Sequence, residues 1–116
     1  MAAPDPDFAR RVADSFARQG AMAHLGAELA SVAPGAVEIR LPYRAEVAQQ
    51  HGFFHGGVVA TIADSAGGYA GYSLMPAGSS VLTVEYKINM IAPAKGDALV
   101  ARGKVVKAGR TLTVCA

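Results

Sequence analysis

The chain has 116 residues, 52% of them apolar and 17% charged, with a net charge of +2 from 11 basic and 9 acidic side chains. That length fits a single domain, 1–116, and the apolar content excludes intrinsic disorder, which needs low hydrophobicity and high net charge. So small a charge makes no case for a nucleic-acid partner, and the apolar surplus points to surface buried between copies of the chain.

In chain order, residues 1–6 read as a loose arm ahead of a helix from about Phe8, with Asp5 or Asp7 as its cap; arm and helix together fill 1–20. Phe8, Val12 and Phe16 recur every four residues and give that helix one apolar face, and Gly20 ends or bends it. Leu25 to Val32 reads as a first strand. Pro34-Gly35 is a turn, and Val37, Ile39 and Leu41 alternate with Glu38 and Arg40 as a half-buried second strand, the pair forming a hairpin. An irregular connection runs to Gly52. Gly57 to Leu74 carries apolar residues at helical spacing nearly all round, which predicts a buried helix, with Gly67, Gly68 and Gly71 letting another backbone lie close. Met75-Pro76-Ala77-Gly78 stops it. Ser80 to Ile91 alternates as a long strand ended by Pro93. Lys95-Gly96-Asp97 is a turn, Ala98 to Val106 a strand, Lys107 to Arg110 a turn, and Thr111 begins one more strand. Strands and helices do not alternate regularly, so the class is α+β: an antiparallel sheet packed on one long apolar helix.

The most apolar stretch, Gly56 to Met75, carries Asp64 near its middle, which argues against a membrane span. Asp5, Asp7 and Asp14 interrupt the N-terminus, so it does not read as a signal peptide, and a cytoplasmic location is the default. The single cysteine, Cys115, reads as a small apolar residue in a reducing compartment. His51 and His55 are four apart with Gly52 between them and no third ligand in view, so neither a metal site nor a cofactor is expected.

One stretch can carry chemistry. His55-Gly56-Gly57 opens the buried helix, where backbone N–H groups lack intrahelical partners and the dipole is positive. Glycines let an oxygen approach those groups, which makes an oxyanion site. Asp64 lies seven residues beyond Gly57, two turns on and on the same face. An acid on an apolar helix is costly unless it has partners or a role. The plain alternative is a tight turn with a structural acid, and on these residues alone the two readings stand about even. Arg102, Lys104, Lys107 and Arg110 follow the last acid, Asp97; they read first as a solvated hairpin face and second as an anion patch.

The run from His55-Gly-Gly through Asp64-Ser-Ala-Gly-Gly68 resembles the signature of hotdog-fold acyl-CoA thioesterases, in particular the PaaI-like (phenylacetic acid degradation) group. Leu82 to Ala94 is similar to that family's following strand, and Gly109-Arg-Thr-Leu112 to its next turn; the resemblance covers roughly 20–116. It implies an antiparallel sheet wrapped round the long helix, and homodimers or homotetramers with active sites at the dimer interface. By position it makes Asp64 the catalytic carboxylate, as nucleophile or as base for a water. The N–H of Gly57, with Gly56 beside it, polarises the thioester carbonyl, and His55 shapes that loop. Gln49, or Gln50 if the register slips by one, orients water or substrate from the opposite subunit, and Thr83 holds the water. Arg102, Lys104, Lys107 and Arg110 become candidate contacts for the CoA nucleotide. Phe53, Phe54, Tyr69 and Tyr72 are candidates for an acyl pocket, with core the simpler assignment for each. Members usually continue past the Gly109–Leu112 turn through a full strand and often another, so the sheet is expected to be short at one edge if the chain is complete at Ala116. Besides thioester hydrolysis, a hotdog hydratase or dehydratase and a non-catalytic acyl-CoA-binding domain remain open; the first uses an Asp–His pair at a different spacing.

Overall fold

The four-residue recurrence of Phe8, Val12 and Phe16 folds as helix α1 (Phe8–Arg18), which buries Val12 completely. The computed structural model describes residues 1–116. Asp7 occupies the N-cap position but makes no side-chain cap there. The neighbouring Asp5 is the buried acid. One of its oxygens accepts from the Asp7 N–H at 2.9 Å and the other meets Arg11 Nε at 3.0 Å. Arg11 then donates to the carbonyls of Met75 and Pro76, both at 2.9 Å, and lies over the Tyr72 ring. The expected cap is thus replaced by a staple that ties the N-terminal arm to the far end of the central helix.

The first helix ends just before Gly20, as expected: the chain breaks at Gln19, and Gly20 starts a second helix, α2 (Gly20–Leu25). Leu25 is therefore helical and not the start of a strand. Gly26, at φ +80, closes α2 in the left-handed conformation that a side chain disfavours. Strand β1 (Glu28–Ala33) then pairs antiparallel with β2 (Ala36–Pro42). Ala33 opposes Ala36, so Pro34-Gly35 is a two-residue turn as expected, with Gly35 at φ +74. Val37, Ile39 and Leu41 are all fully buried, as their alternation predicts. A short 3-10 turn, Ala45–Val47, leads to helix α3 (Gly56–Ser73).

Strand β3 (Ala98–Ala108) pairs with β2 from Ala36↔Lys104 to Pro42↔Ala98, and β4 (Thr113–Cys115) pairs with β3. The turn before β4 lies two residues later than expected. The sheet runs β1-β2-β3-β4, antiparallel throughout. Its inner face packs on α3 through Val37, Ile39, Leu41, Val105, Ile62, Ala66, Tyr69 and Ala70. The tightest approach is at Gly103 of β3, where a Cβ would collide with the Ala66 backbone. The close-packing glycine is thus in the strand. Of the helix glycines, Gly71 and Gly67 lie against Thr113 and Cys115, whereas Gly68 faces open space.

The largest departure from expectation is Ser80 to Ile91. It alternates as a strand should, but it forms no ladder, and Leu82, Val84, Tyr86, Ile88 and Met90 are exposed. Alternation assigns side chains to two faces; a strand also needs a hydrogen-bonding neighbour, and within one chain this segment has none. It runs along α3, with Thr83 beside Asp64 and the Met90 methyl near Gly56. The long helix is therefore not buried all round: the sheet covers one side, and Ala63, Asp64, Gly67 and Gly68 look toward this segment.

Candidate active site

Asp64 projects from the middle of α3, half-buried, into the space between that helix and the 80–91 segment. The Thr83 hydroxyl donates to Asp64 Oδ1 at 2.7 Å. A charge-assisted bond of this length fixes the carboxylate and leaves its second oxygen free to act on a substrate or a water. Two cavities open on either side of this pair. The larger, about 400 Å³, is floored by Gly67, Gly68 and Gly71 and lined by 80–88, Ala101–Gly103, Thr111 to Thr113, Cys115 and Ala116. The smaller, about 250 Å³, is lined by Ser15, Gln19, Ser65, Gly68, Tyr69 and Val81 together with Asp64 and Thr83.

The helix start is built differently from the sequence expectation. His55 is the N-cap of α3, and its Nδ1 accepts the Gly57 N–H at 2.8 Å. The Gly57 carbonyl in turn accepts the Thr61 hydroxyl at 2.7 Å. Val58 and Val59 both donate to the His55 carbonyl at 3.0 Å. The donor left without an acceptor in this first turn is the Gly56 N–H. Gly57 is thus spent on the cap, because a histidine at the N-cap reaches the second helical N–H as Ser or Asp would. Gly56 is exposed and free to face a ligand.

Gln49 is occupied by its own loop: its Oε1 accepts from His51 N at 2.6 Å and from Phe53 N at 3.2 Å. Neither Gln49, the exposed Gln50 nor His55 lines a cavity with Asp64 in the single chain. Of the basic residues, Arg102 lines the larger cavity but its guanidinium pairs with Glu38 at 2.8 Å. Lys104, Lys107 and Arg110 are exposed and have no carboxylate partner within ion-pair distance. Phe54 is core, 3% exposed, and stacks edge-on with Tyr43; Tyr72 carries Arg11 on its ring. Tyr69 alone among the four aromatic candidates reaches a cavity with Asp64. No group of three or more His, Cys, Asp or Glu side chains converges as a metal site would require.

Sequence reasoning missed the polar cluster beside Asp64. Gln19 Nε2 donates to the Tyr69 hydroxyl at 2.9 Å, and Gln19 Oε1 accepts from Ser65 Oγ at 3.0 Å. Ser15 Oγ lies 3.1 Å from the same tyrosine hydroxyl. The available signal was Ser65 next to Asp64; nothing in periodicity places Gln19, which sits at the break between α1 and α2.

A family model for the thioesterase superfamily matches residues 51–116. A solved thioesterase family protein from Silicibacter pomeroyi is 53% identical with a TM-score of 0.91, over 93% of this chain and 79% of that one. A Halobacterium salinarum protein provisionally named an esterase is 32% identical over 95% of this chain and 76% of its own. The E. coli PaaI protein from the phenylacetic acid degradation operon superposes with a TM-score of 0.80 over 90% of this chain and 74% of its own; at 23% identity that likeness is one of fold.

Proposed function

The chain belongs to the thioesterase superfamily and is a thioester hydrolase of the hotdog fold, and we propose that it hydrolyses acyl-CoA with Asp64 as the catalytic carboxylate. The observation that carries the assignment is the Thr83–Asp64 bond at 2.7 Å, on a carboxylate that opens into two cavities. Thr83 holds Oδ1, so Oδ2 is the reacting atom. It takes a proton from a water that attacks the thioester carbonyl, or it attacks that carbon itself and water later cleaves the anhydride. In both cases the C–S bond breaks, the thiolate leaves and is protonated, and the products are the free acid and CoA. The unpartnered Gly56 N–H, at the positive end of α3, is the donor available to the carbonyl oxygen as negative charge develops on it; eight residues of helix, about 12 Å, separate it from Asp64, so in this reading the two meet on one thioester only across the interface with a second copy. Gly57 and His55 hold that turn in shape.

The working unit in this reading is a homodimer or a homotetramer. The 80–91 segment offers unpaired edges beside an apolar face of Leu82, Val84, Tyr86 and Ile88, which a second copy's matching segment can extend into one sheet. A second copy would also bring a Gln49 toward Asp64, which the single chain does not. Of the four basic residues expected to contact CoA, Lys104, Lys107 and Arg110 are free of carboxylate partners and available to its phosphates. No helix is long and apolar enough to cross a membrane, and the lone thiol suits the reducing cytoplasm. A hydratase-like Asp–His pair finds no support, because His55 is tied to Gly57 and lines no cavity with Asp64.

The test is thiol release from a series of acyl-CoA thioesters. Asp64→Asn keeps the volume and the bond to Thr83 but removes the base, and kcat should fall by about 10²–10⁴. Turnover in that variant equal to the native protein's would sink the assignment.

A further inference from the structure

The smaller cavity is an unusual wall for a site that takes a hydrocarbon. Its floor is α3 (Asp64, Ser65, Gly68, Tyr69), one wall is α1 with Ser15 and Gln19, and the other is Val81 with Thr83. Apart from Gly68 and Val81, every lining side chain can hydrogen-bond. Gly68 stands one turn beyond Asp64 on the same helix, and a Cβ there would meet nothing within 4 Å. The space next to the carboxylate is therefore open at Gly68 and bounded by Gln19.

Gln19 is held in one orientation. Its amide oxygen takes the Ser65 hydroxyl and one N–H goes to the Tyr69 hydroxyl, itself on a residue only 6% exposed. A carboxamide has two N–H groups and two acceptor sites on oxygen, so one of each remains for a ligand. A plain alkyl group pressed on this wall would leave those groups unpaired, and that carries a penalty; a hydroxyl or carbonyl on the acyl group would satisfy one.

We propose that Gln19 is a specificity-determining residue: it meets the acyl group in the cavity over Gly68 and selects acyl groups bearing a hydrogen-bonding substituent over hydrocarbon groups of the same length. The proposal rests on the assignment of Asp64 as the catalytic carboxylate; of the two cavities that Asp64 borders, the larger has Lys87 and Arg102 in its wall and suits the CoA phosphates, which leaves the smaller, without a cation, to the acyl group.

The experiment compares kcat and KM for 3-hydroxybutyryl-CoA and butyryl-CoA in the native protein and in Gln19→Leu, Gly68→Leu and Asp64→Asn. The native protein should favour the hydroxylated substrate in kcat/KM. Gln19→Leu should shrink that preference about tenfold, the worth of one hydrogen bond, through KM with kcat little changed. A preference unchanged in Gln19→Leu overturns the proposal. Should Gln19→Leu fail to fold, as a thermal melt would show, Gly68→Leu decides. It leaves the Gln19–Tyr69–Ser65 network in place and fills the cavity, and an unchanged KM for 3-hydroxybutyryl-CoA in that variant overturns the proposal equally. Asp64→Asn separates the two levels. If it is inactive while the other variants keep the native preference and KM, the acyl subsite alone is wrong; if it turns over both substrates normally, the catalytic assignment falls and the subsite with it.

Discussion

Strand β3 and the 80–91 segment carry the same kind of sequence and meet different fates. Both alternate, and both lie along α3. In β3, Gly103 and Val105 are buried while Arg102 and Lys104 point outward, and both edges are hydrogen-bonded, to β2 and to β4. In 80–91 only Val81 is partly covered, and from Leu82 on every residue to Ile91 is exposed. Alternation says which side chains share a face. It does not say what pairs with the backbone. The side of α3 under β3 is the closed, load-carrying side; the side under 80–91 is where Asp64, the cavities and the unpaired strand edges collect.

The contrast can be broken most forcefully with two isoleucines. Ile39 is fully buried in β2, and Ile39→Ala should cost about 2–5 kcal/mol in denaturant unfolding. Ile88 is 37% exposed on the open side, and Ile88→Ala should leave the stability of the single chain within about 0.5 kcal/mol while weakening self-association seen by sedimentation. Equal losses for the two would mean that the 80–91 segment is packed within the chain after all.

Glycines sharpen the same comparison at smaller cost. A Cβ at Gly103 runs into the Ala66 backbone, which cannot swing aside, so Gly103→Ala should destabilise by about 1–3 kcal/mol. Gly68→Ala points into open space and removes a helix-weakening glycine, so it should stabilise by up to about 1 kcal/mol. Opposite signs for one added methyl, on a strand glycine packed against α3 and on a glycine within α3, are what the closed and open sides require.

How much of this was legible beforehand divides along the same line. The hairpin, α3 and the inward set Val37, Ile39 and Leu41 follow from turn residues and periodicity, which are local. Asp64 stood out because an acid on an apolar helix calls for a partner, and Thr83 from the next segment supplies it. What was not legible depends on partners far away in the chain. The Asp5–Arg11 staple reaches the carbonyls at Met75 and Pro76, and the Gln19 cluster reaches Ser65 and Tyr69. Nor did the glycine pair reveal which N–H stays free, since that turned on His55 choosing Gly57. The family resemblance named the residues around the helix start; the hydrogen bonds decide which of them has a donor to spare.

The smallest effect concerns Cys115, which stands where the two sides meet. It belongs to β4 on the closed side, yet it lines the larger cavity, with its Sγ 3.7 Å from where a Gly71 Cβ would stand. Burial raises its thiol pKa above the ordinary 9.0, and a hydrogen bond with the Gly71 backbone offsets only part of that. The neutral thiol is therefore favoured in the folded state, and the unfolded chain gives up this proton first as pH rises. Stability from the group is fully present below pH 9.0 and is lost as pH climbs from there through the raised value. Subtracting the unfolding free energies of Cys115→Ala from those of the native protein isolates this group from all others. The difference should be flat below that pH and fall above it. Alkylation by iodoacetamide at pH 8 should likewise be slower in the folded protein than in urea, because less thiolate is present and less of it is reachable. Equal rates in the two states would place Cys115 on the open side, with β4 no better covered than the 80–91 segment.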